Sequence, residues 1–313
     1  MSITKVFGSI FSYIKQVFKE FSADNILKYS ASLAYYTVFS IAPLLVIVSA
    51  LLGFFFGKEA MEGQIYDQLN HLVGSLAAMQ IQDTIKNIHL NTNSYMASVI
   101  SIIILFIGAT SIFGEIQDSL NKIWGLRIKA KKVWWKLLIT RLLSFSLILS
   151  IGVIMIVSVL LNALVNAFGQ LISNYLKNYS TYFIGITEAT LSLLITGFLF
   201  SLIFKILPDA KIKWKDVLLG GFVTAIFFTI GKMGIGFYLG KSNLTSLYGA
   251  AGSIIIFMVW VYYSSIILYL GAEFTKVQTK LYGGNIIPNE YAEWVELEEK
   301  TVSSPELKNK DLH

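Results

Sequence analysis

Apolar residues along this chain do not recur at the spacing of a globular amphipathic fold. They run on in six long stretches, and short segments between them hold most of the charge. The stretches are Tyr29 to Phe56, Tyr95 to Glu115, Leu137 to Phe168, Tyr182 to Leu207, Val217 to Leu239 and Leu247 to Phe274. Each reaches the ~20 residues that a helix needs to cross a hydrocarbon core. The pattern predicts an all-α, polytopic membrane protein with six transmembrane helices.

Basic residues orient the spans, because short loops rich in Lys and Arg stay on the cytoplasmic side. Lys5, Lys15, Lys19 and Lys28 precede the first span, and Lys122, Arg127, Lys129, Lys131, Lys132 and Lys136 lie between the second and third. Lys211, Lys213 and Lys215 separate the fourth from the fifth, and Lys276 and Lys280 follow the sixth. The alternate segments carry only Lys58 and Lys86, then Lys177, then Lys241. Both termini are therefore expected in the cytoplasm, as an even number of spans requires, and the protein is expected in the inner (cytoplasmic) membrane. Trp124, Trp134, Trp135 and Trp214 fall at predicted cytoplasmic ends, where an indole ring anchors among headgroups.

Two segments outside the spans show helical periodicity. In residues 1–27, Ile3, Val6, Phe7, Ile10, Phe11, Ile14, Val17, Phe18 and Phe21 recur at three- and four-residue spacing opposite Lys5, Ser9, Ser12, Lys15 and Lys19. That is an amphipathic interfacial helix, with no uninterrupted apolar core of the kind a signal peptide has. Ile65, Leu69, Leu72, Val73 and Leu76 mark a second such helix in the longest outer loop. The membrane domain then occupies 28–284. Residues 285–313 carry Glu290, Glu293, Glu296, Glu298, Glu299 and Glu306 and little apolar material, and read as an acidic, partly disordered cytoplasmic tail.

Composition narrows the chemistry. The net charge of +6 is spread over several loops facing an anionic leaflet, which accounts for it without nucleic acid. Absence of cysteine excludes disulfides and thiolate metal sites. No Gly-rich loop followed by Lys and Ser or Thr appears, so no ATP-driven activity and no cofactor is expected of this chain. With only His71, His89 and His313, and with Asp118, Asp209 and Asp216 scattered, it lacks the converging ligands that metal-dependent hydrolysis requires. No catalytic residue or metal site is assigned.

Ionisable residues within spans point to function, since each costs several kcal/mol unless paired or wetted. Glu188 and Lys232 fall in the outer third of the fourth and fifth spans, at depths that allow an ion pair or a shared aqueous cavity. A packing role for such a pair is the alternative. Glu115 and Glu273 lie near the cytoplasmic ends of the second and sixth spans, with Asp118, Asn121, Arg141 and Lys205 at similar depth, predicting a polar cluster at the inner mouth. Snorkelling explains Lys205, and a structural ion pair suits Glu273. In the first span Ser30, Ser32, Tyr35, Tyr36, Thr37 and Ser40 precede Pro43, which bends a helix. Tyr35, Tyr36, Ser40 and Pro43 are candidate pathway-lining residues, although hydroxyls also hold helices together. Gly231, Gly234, Gly236 and Gly240 in the fifth span predict close helix contact, and Ser242, Asn243 and Ser246 a mobile connection.

The segments "ASLAYYTVFSIAPLLVI", "GATSIFGEIQDSLNKIWG", "LPDAKIKWKDVLLGG" and "YGAAGSIIIFMVWVYYSSIILYLGAEFTKV" together resemble the YihY/BrkB family of inner-membrane proteins over roughly residues 20 to 285. The resemblance implies six spans with cytoplasmic termini and no settled activity. Members have carried a ribonuclease BN label, which the missing ligand set argues against. Two classes of function follow. The first is a transporter or a translocase of lipid or an envelope precursor, with an unknown solute. The second is a non-transporting structural or regulatory membrane protein. Neither is an enzyme, membrane lipids are the expected partners, and the small-residue faces suit contacts within a subunit or in a homo-oligomer.

Overall fold

The structure, a computed structural model, describes residues 3–40, 111–129, 180–241, 252–281 and 285–295, with further helical positions at 108 and scattered between 139 and 165. Helix α1, Ile3–Ala23, is the expected amphipathic segment and ends a turn before residue 27. Asn25 ends it: its φ of 54° is a left-handed conformation that asparagine tolerates better than most residues. Helix then resumes as α2, residues 26–40, with the Lys28 N–H donating to the Asn25 carbonyl at 2.9 Å. Next come α3, residues 111–123, β1, Leu126–Ile128, α4, Ser180–Ile206, and β2, Ala210–Lys211. The order closes with α5, Trp214–Lys241, α6, Gly252–Leu281, β3, Ile287–Pro288, and β4, Ala292–Trp294.

Three described helices are long and apolar enough to cross a membrane: Gly185–Ile206, Trp214–Tyr238 and Ile254–Leu281. They correspond to the fourth, fifth and sixth predicted spans. The last one runs a further two turns beyond Phe274, because Val277 continues the buried face. The first predicted span is helical over 29–40, the second over 111–115, and the third at each position described within it. Residues 41–100, including Pro43 and the second amphipathic segment, lie outside the described residues, as do Ser242, Asn243 and Ser246.

The long helices approach through small residues. Helices α4 and α5 form a hairpin whose turn starts where Pro208 stops the first helix. In its last turn Lys205 donates to the Ile212 carbonyl and lies over the Trp214 ring, 5.6 Å from its centroid. A Cβ on Gly221 would stand 2.1 Å from Ser201 Oγ, and one on Gly197 2.5 Å from the Phe222 ring. Between α5 and α6 the pairing is reciprocal. Gly271 faces Thr224 and Gly220 faces Thr275, with added Cβ atoms 1.8 and 1.9 Å from the respective Oγ1. Each threonine bonds its hydroxyl back to its own helix, Thr224 to the Gly220 carbonyl and Thr275 to the Gly271 carbonyl, so neither leaves a polar group stranded. Gly231 receives the Tyr263 hydroxyl, whereas Gly234 and Gly236 have nothing within 4 Å of a Cβ. Among the described positions of the predicted glycine face, Gly231 is a contact and Gly234 and Gly236 are open.

Two findings depart from the sequence reading. The chain is not purely helical, because β1 pairs antiparallel with β4 and β2 with β3. Residues 285–295, the start of the acidic tail, thus fold back and join the segment after α3 to the α4–α5 turn. Short strands of this kind have too little alternation to be read from one sequence. Trp124, expected among headgroups, is instead 1% exposed and donates its indole N–H to the Ala272 carbonyl at 3.2 Å. It lies in the main core with Ile26, Leu120, Phe204 and Tyr269, whereas Trp214 is half exposed.

Gly271→Ala drives a methyl group into Thr224 and is expected to destabilise the protein by about 1–3 kcal/mol, the usual cost of overpacking. Adding Thr224→Gly, which removes the opposing bulk, is expected to recover part of that loss. The thermal midpoint of the purified protein in detergent reads both changes.

Candidate functional site

Two buried polar assemblies occupy the end of the bundle where α1, the α4–α5 turn and the tail meet. The first surrounds Asp209, which is 1% exposed. Helix α3 presents Gln117 and Asn121 one turn apart on one face. Gln117 Nε2 donates to Asp209 Oδ1 at 3.0 Å and to the Leu207 carbonyl at 2.7 Å. Asn121 Nδ2 donates to Asp209 Oδ2 at 2.6 Å, and the Asp209 N–H returns a bond to Asn121 Oδ1 at 2.8 Å. The tail joins in: the Asn289 N–H donates to the Asp209 carbonyl at 2.9 Å. Burial, reinforced by the Asp209 carboxylate, pushes the Tyr291 phenol above its ordinary value. Every acceptor on Asp209 that the fold hides from water therefore has a donor, which is what burying a carboxylate requires.

The second assembly centres on Lys276 of α6. Its Nζ lies 2.6 Å from Asp24 Oδ2, 2.8 Å from Glu20 Oε2 and 3.3 Å from Glu273 Oε2. Four-residue spacing, kept by the Asp24 N–H donating to the Glu20 carbonyl at 2.8 Å, places Asp24 beside Glu20, and three-residue spacing on α6 places Glu273 beside Lys276. Tyr13 strengthens the docking of α1. Its hydroxyl donates to the Phe274 carbonyl at 2.9 Å, and its ring meets that of Phe274 edge-on at 5.1 Å. Carboxylate oxygens of Glu20, Asp24 and Glu273 lie within 4.8 Å of one another, a spacing that suits a metal ion. The Lys276 ammonium occupies the position a cation would take. Burial tends to raise the Glu20 carboxyl, but the hydrogen bond and charge of Lys276 outweigh it and hold the group below its ordinary value.

Of the residues singled out from sequence, Glu273 belongs to this assembly and Glu115 is half-buried on α3. Neither contacts the Asp209 network. Glu20, Asp24, Lys276, Gln117 and Asp209, which do most of the pairing, are not among the candidates that the sequence singles out. Gln117, Asp209 and Lys276 fall inside the quoted motifs "EIQDSLNK", "LPDA" and "GAEFTKV", whereas Glu20 and Asp24 precede all of the quoted segments and stand four residues apart on the amphipathic stretch. Arg141 and Pro43 lie outside the described residues.

Glu188 and Lys232 stand at the same level of the α4–α5 hairpin, each 18 positions from its turn, at 188 against Ile206 and at 232 against Trp214. Both are half-buried. Lys232 takes part in an interaction of its own, and the ion pairs described at the other end of the bundle centre on Lys276. On α2 the hydroxyls of Ser30, Thr37 and Ser40 share a buried stripe with Leu33 and Ala34, while Tyr35, Tyr36 and Phe39 form an exposed aromatic cluster on another side. The serine and the tyrosines proposed to line one path thus face different ways.

Comparison with known proteins adds the wider context. Residues 17–286 match the family described as Virulence factor BrkB. A UPF0761 membrane protein of Psychromonas ingrahamii is 28% identical over 277 residues, covering 85% of this chain and 87% of its own length. UPF0761 membrane proteins of Saccharophagus degradans and Paraburkholderia xenovorans are 24% and 29% identical, covering 84% and 80% of this chain. The chain spans only 59% and 56% of those two relatives. No solved structure matches it.

Asp209→Leu strands the Gln117 and Asn121 amides, and each is expected to cost about 1–3 kcal/mol, read as a fall in the denaturation midpoint. The pH dependence of α1 docking follows from Glu20. Because the folded-state value is depressed, its contribution is full above the ordinary carboxyl value of 4.5 and is lost as pH falls through the lower, folded one. Proteolytic release of α1 is therefore expected to rise on acidification, and Glu20→Gln is expected to flatten that part of the curve.

Proposed function

We propose, on the premise that the chain belongs to the Virulence factor BrkB family of membrane proteins, that it moves a solute across the bacterial inner membrane. Glu188 and Lys232 carry this reading. Two opposite charges at one level of adjacent, apolar, membrane-length helices cost several kcal/mol to retain, and such residues mark solute or ion paths more often than packing. An ion pair or a shared aqueous cavity between α4 and α5 accounts for two half-buried charges at one level. The six spans, the cytoplasmic termini and the inner-membrane location rest on the Lys and Arg pattern. On that orientation the Lys276 and Asp209 assemblies lie at the cytoplasmic mouth.

The proposed cargo is a lipid or an envelope precursor. Ile14 and Phe18 leave an apolar side of α1 open, and a groove of about 310 Å³ runs between α1 and α6, bordered by Tyr13, Gln16, Val277 and Lys280. Its lining joins apolar Val277 and Leu281 to the Lys280 ammonium and the Glu20 carboxylate, which suits the polar headgroup and acyl chain of a lipid at the leaflet surface. No enzymatic step, cofactor or nucleic acid enters this reading, and membrane lipids are the partners. A second reading, a structural or regulatory protein, draws on the Gly–Thr interface and the Asp209 network, which are packing devices. In that case Glu188 and Lys232 only orient helices.

The test is translocation of a fluorescent phosphatidylglycerol in vesicles of phosphatidylethanolamine and phosphatidylglycerol containing the purified chain. The protein is expected to accelerate exchange over empty vesicles. Glu188→Gln and Lys232→Met are each expected to reduce that rate about tenfold or more, equivalent to ~1.4 kcal/mol of barrier, with thermal midpoints near wild type. No acceleration, or losses of rate that track losses of folding in both variants, would overturn the reading for this cargo.

A further inference from the structure

Glu273 is the group whose surroundings the preceding account leaves unexplained. It is 0% exposed, and neither carboxyl oxygen accepts a hydrogen bond, although Oε2 lies 3.3 Å from Lys276 Nζ. Lys276 commits its short contacts to α1, at 2.6 Å to Asp24 and 2.8 Å to Glu20. One turn before Glu273, Tyr269 is likewise fully buried, with its hydroxyl beside Ser119 of α3. The charged groups facing Glu273 are Glu20 and Asp24 from α1 and Lys276 on its own helix. Lys280 acts on Glu20 from the next turn, and Glu115 of α3 acts on Tyr269.

Three carboxyl groups thus crowd one ammonium. An ionised carboxylate buried without a well-aligned hydrogen bond carries a desolvation penalty of several kcal/mol, which a poorly aligned contact does not repay. Two carboxyls in close approach share a proton for the same reason that like charges repel. A neutral Glu273 removes both costs and leaves Lys276 free to hold α1.

We propose that Glu273 is a proton-binding site: it is protonated while α1 is docked, and loss of that proton releases α1 from α6. On release the O–H bond of Glu273 breaks, the electron pair stays on the carboxylate, and the proton passes to bulk water through the adjoining groove. The new carboxylate competes with Glu20 and Asp24 for Lys276 on its own helix and repels both of them. Docking of α1 is thereby tied to proton occupancy, whatever the cargo is, and the measurement that tests it contains no flux.

The chain has no cysteine, so Lys19→Cys and Leu281→Cys introduce a unique pair for spin labels on exposed positions of α1 and α6. In lipid vesicles the short-distance, docked population is expected to fall by roughly half or more as pH rises from about 6 to about 9.5, still below the ordinary lysine value of about 10.4. With Glu273→Gln, which imitates the protonated side chain, it is expected to persist over the whole range. A wild-type distance that does not change, or a Glu273→Gln protein with the wild-type pH curve, would overturn the proposal. Infrared spectroscopy gives a second readout that does not depend on that variant folding. At neutral pH the wild-type protein is expected to show the carbonyl band of a protonated carboxyl, and Asp24→Asn, by removing a repelling charge, is expected to shift its loss to lower pH. Absence of the band, or no shift, counts against it.

Discussion

A carboxylate hidden from water has to be solvated by the protein, and around Asp209 that requirement organises the described structure. Gln117 and Asn121 come from α3, the acid itself from the α4–α5 turn, and Asn289 and Tyr291 from the tail. None of these segments is near another in sequence. Their positions are linked because each buried amide or oxygen left unsatisfied costs about 1–3 kcal/mol, a large share of what holds a marginally stable protein folded. The two short strand pairs follow from the same arrangement. Once Asn289 bonds the Asp209 backbone, β3 lies along β2 and β4 along β1.

The helices that reach into the membrane are held by a different interaction. Lipid tails are as apolar as leucine, so burying apolar surface between helices gains little there, and close van der Waals approach takes over. The reciprocal pairing of Gly220 with Thr275 and Gly271 with Thr224 provides it, and the threonine hydroxyls are satisfied within their own helices. At the end of α6 the balance changes again. Lys276 draws in Glu20 and Asp24 from α1, so an interfacial helix and a membrane helix are joined by charge rather than by packing. Glu273 sits inside that contact without a hydrogen bond of its own. A joint that holds by a surplus of carboxylates over ammonium is sensitive to protons in a way that the Gly–Thr interface is not.

Period and composition were sufficient for much of this. Runs of ~20 apolar residues are candidate membrane helices, because an unpaired backbone in hydrocarbon is prohibitive, and α4, α5 and α6 lie where three of those runs are. The amphipathic α1 was legible from its three- and four-residue spacing, and the equal level of Glu188 and Lys232 from the rise per residue. What one sequence does not carry is the choice of partners between elements. Trp124 has the composition of an interface anchor, yet the Ala272 carbonyl makes it a core residue. Glu20 and Asp24 look like surface acids until the packing of α1 on α6 brings them to Lys276. Gly231 and Gly234 are alike in sequence, and only the approach of Tyr263 separates a contact from an open position. Local pattern decides which segments become helices, because hydrogen bonding and hydrophobicity act along the chain. Tertiary structure decides which buried charges are paired, because that depends on side chains brought together from segments as much as 250 residues apart.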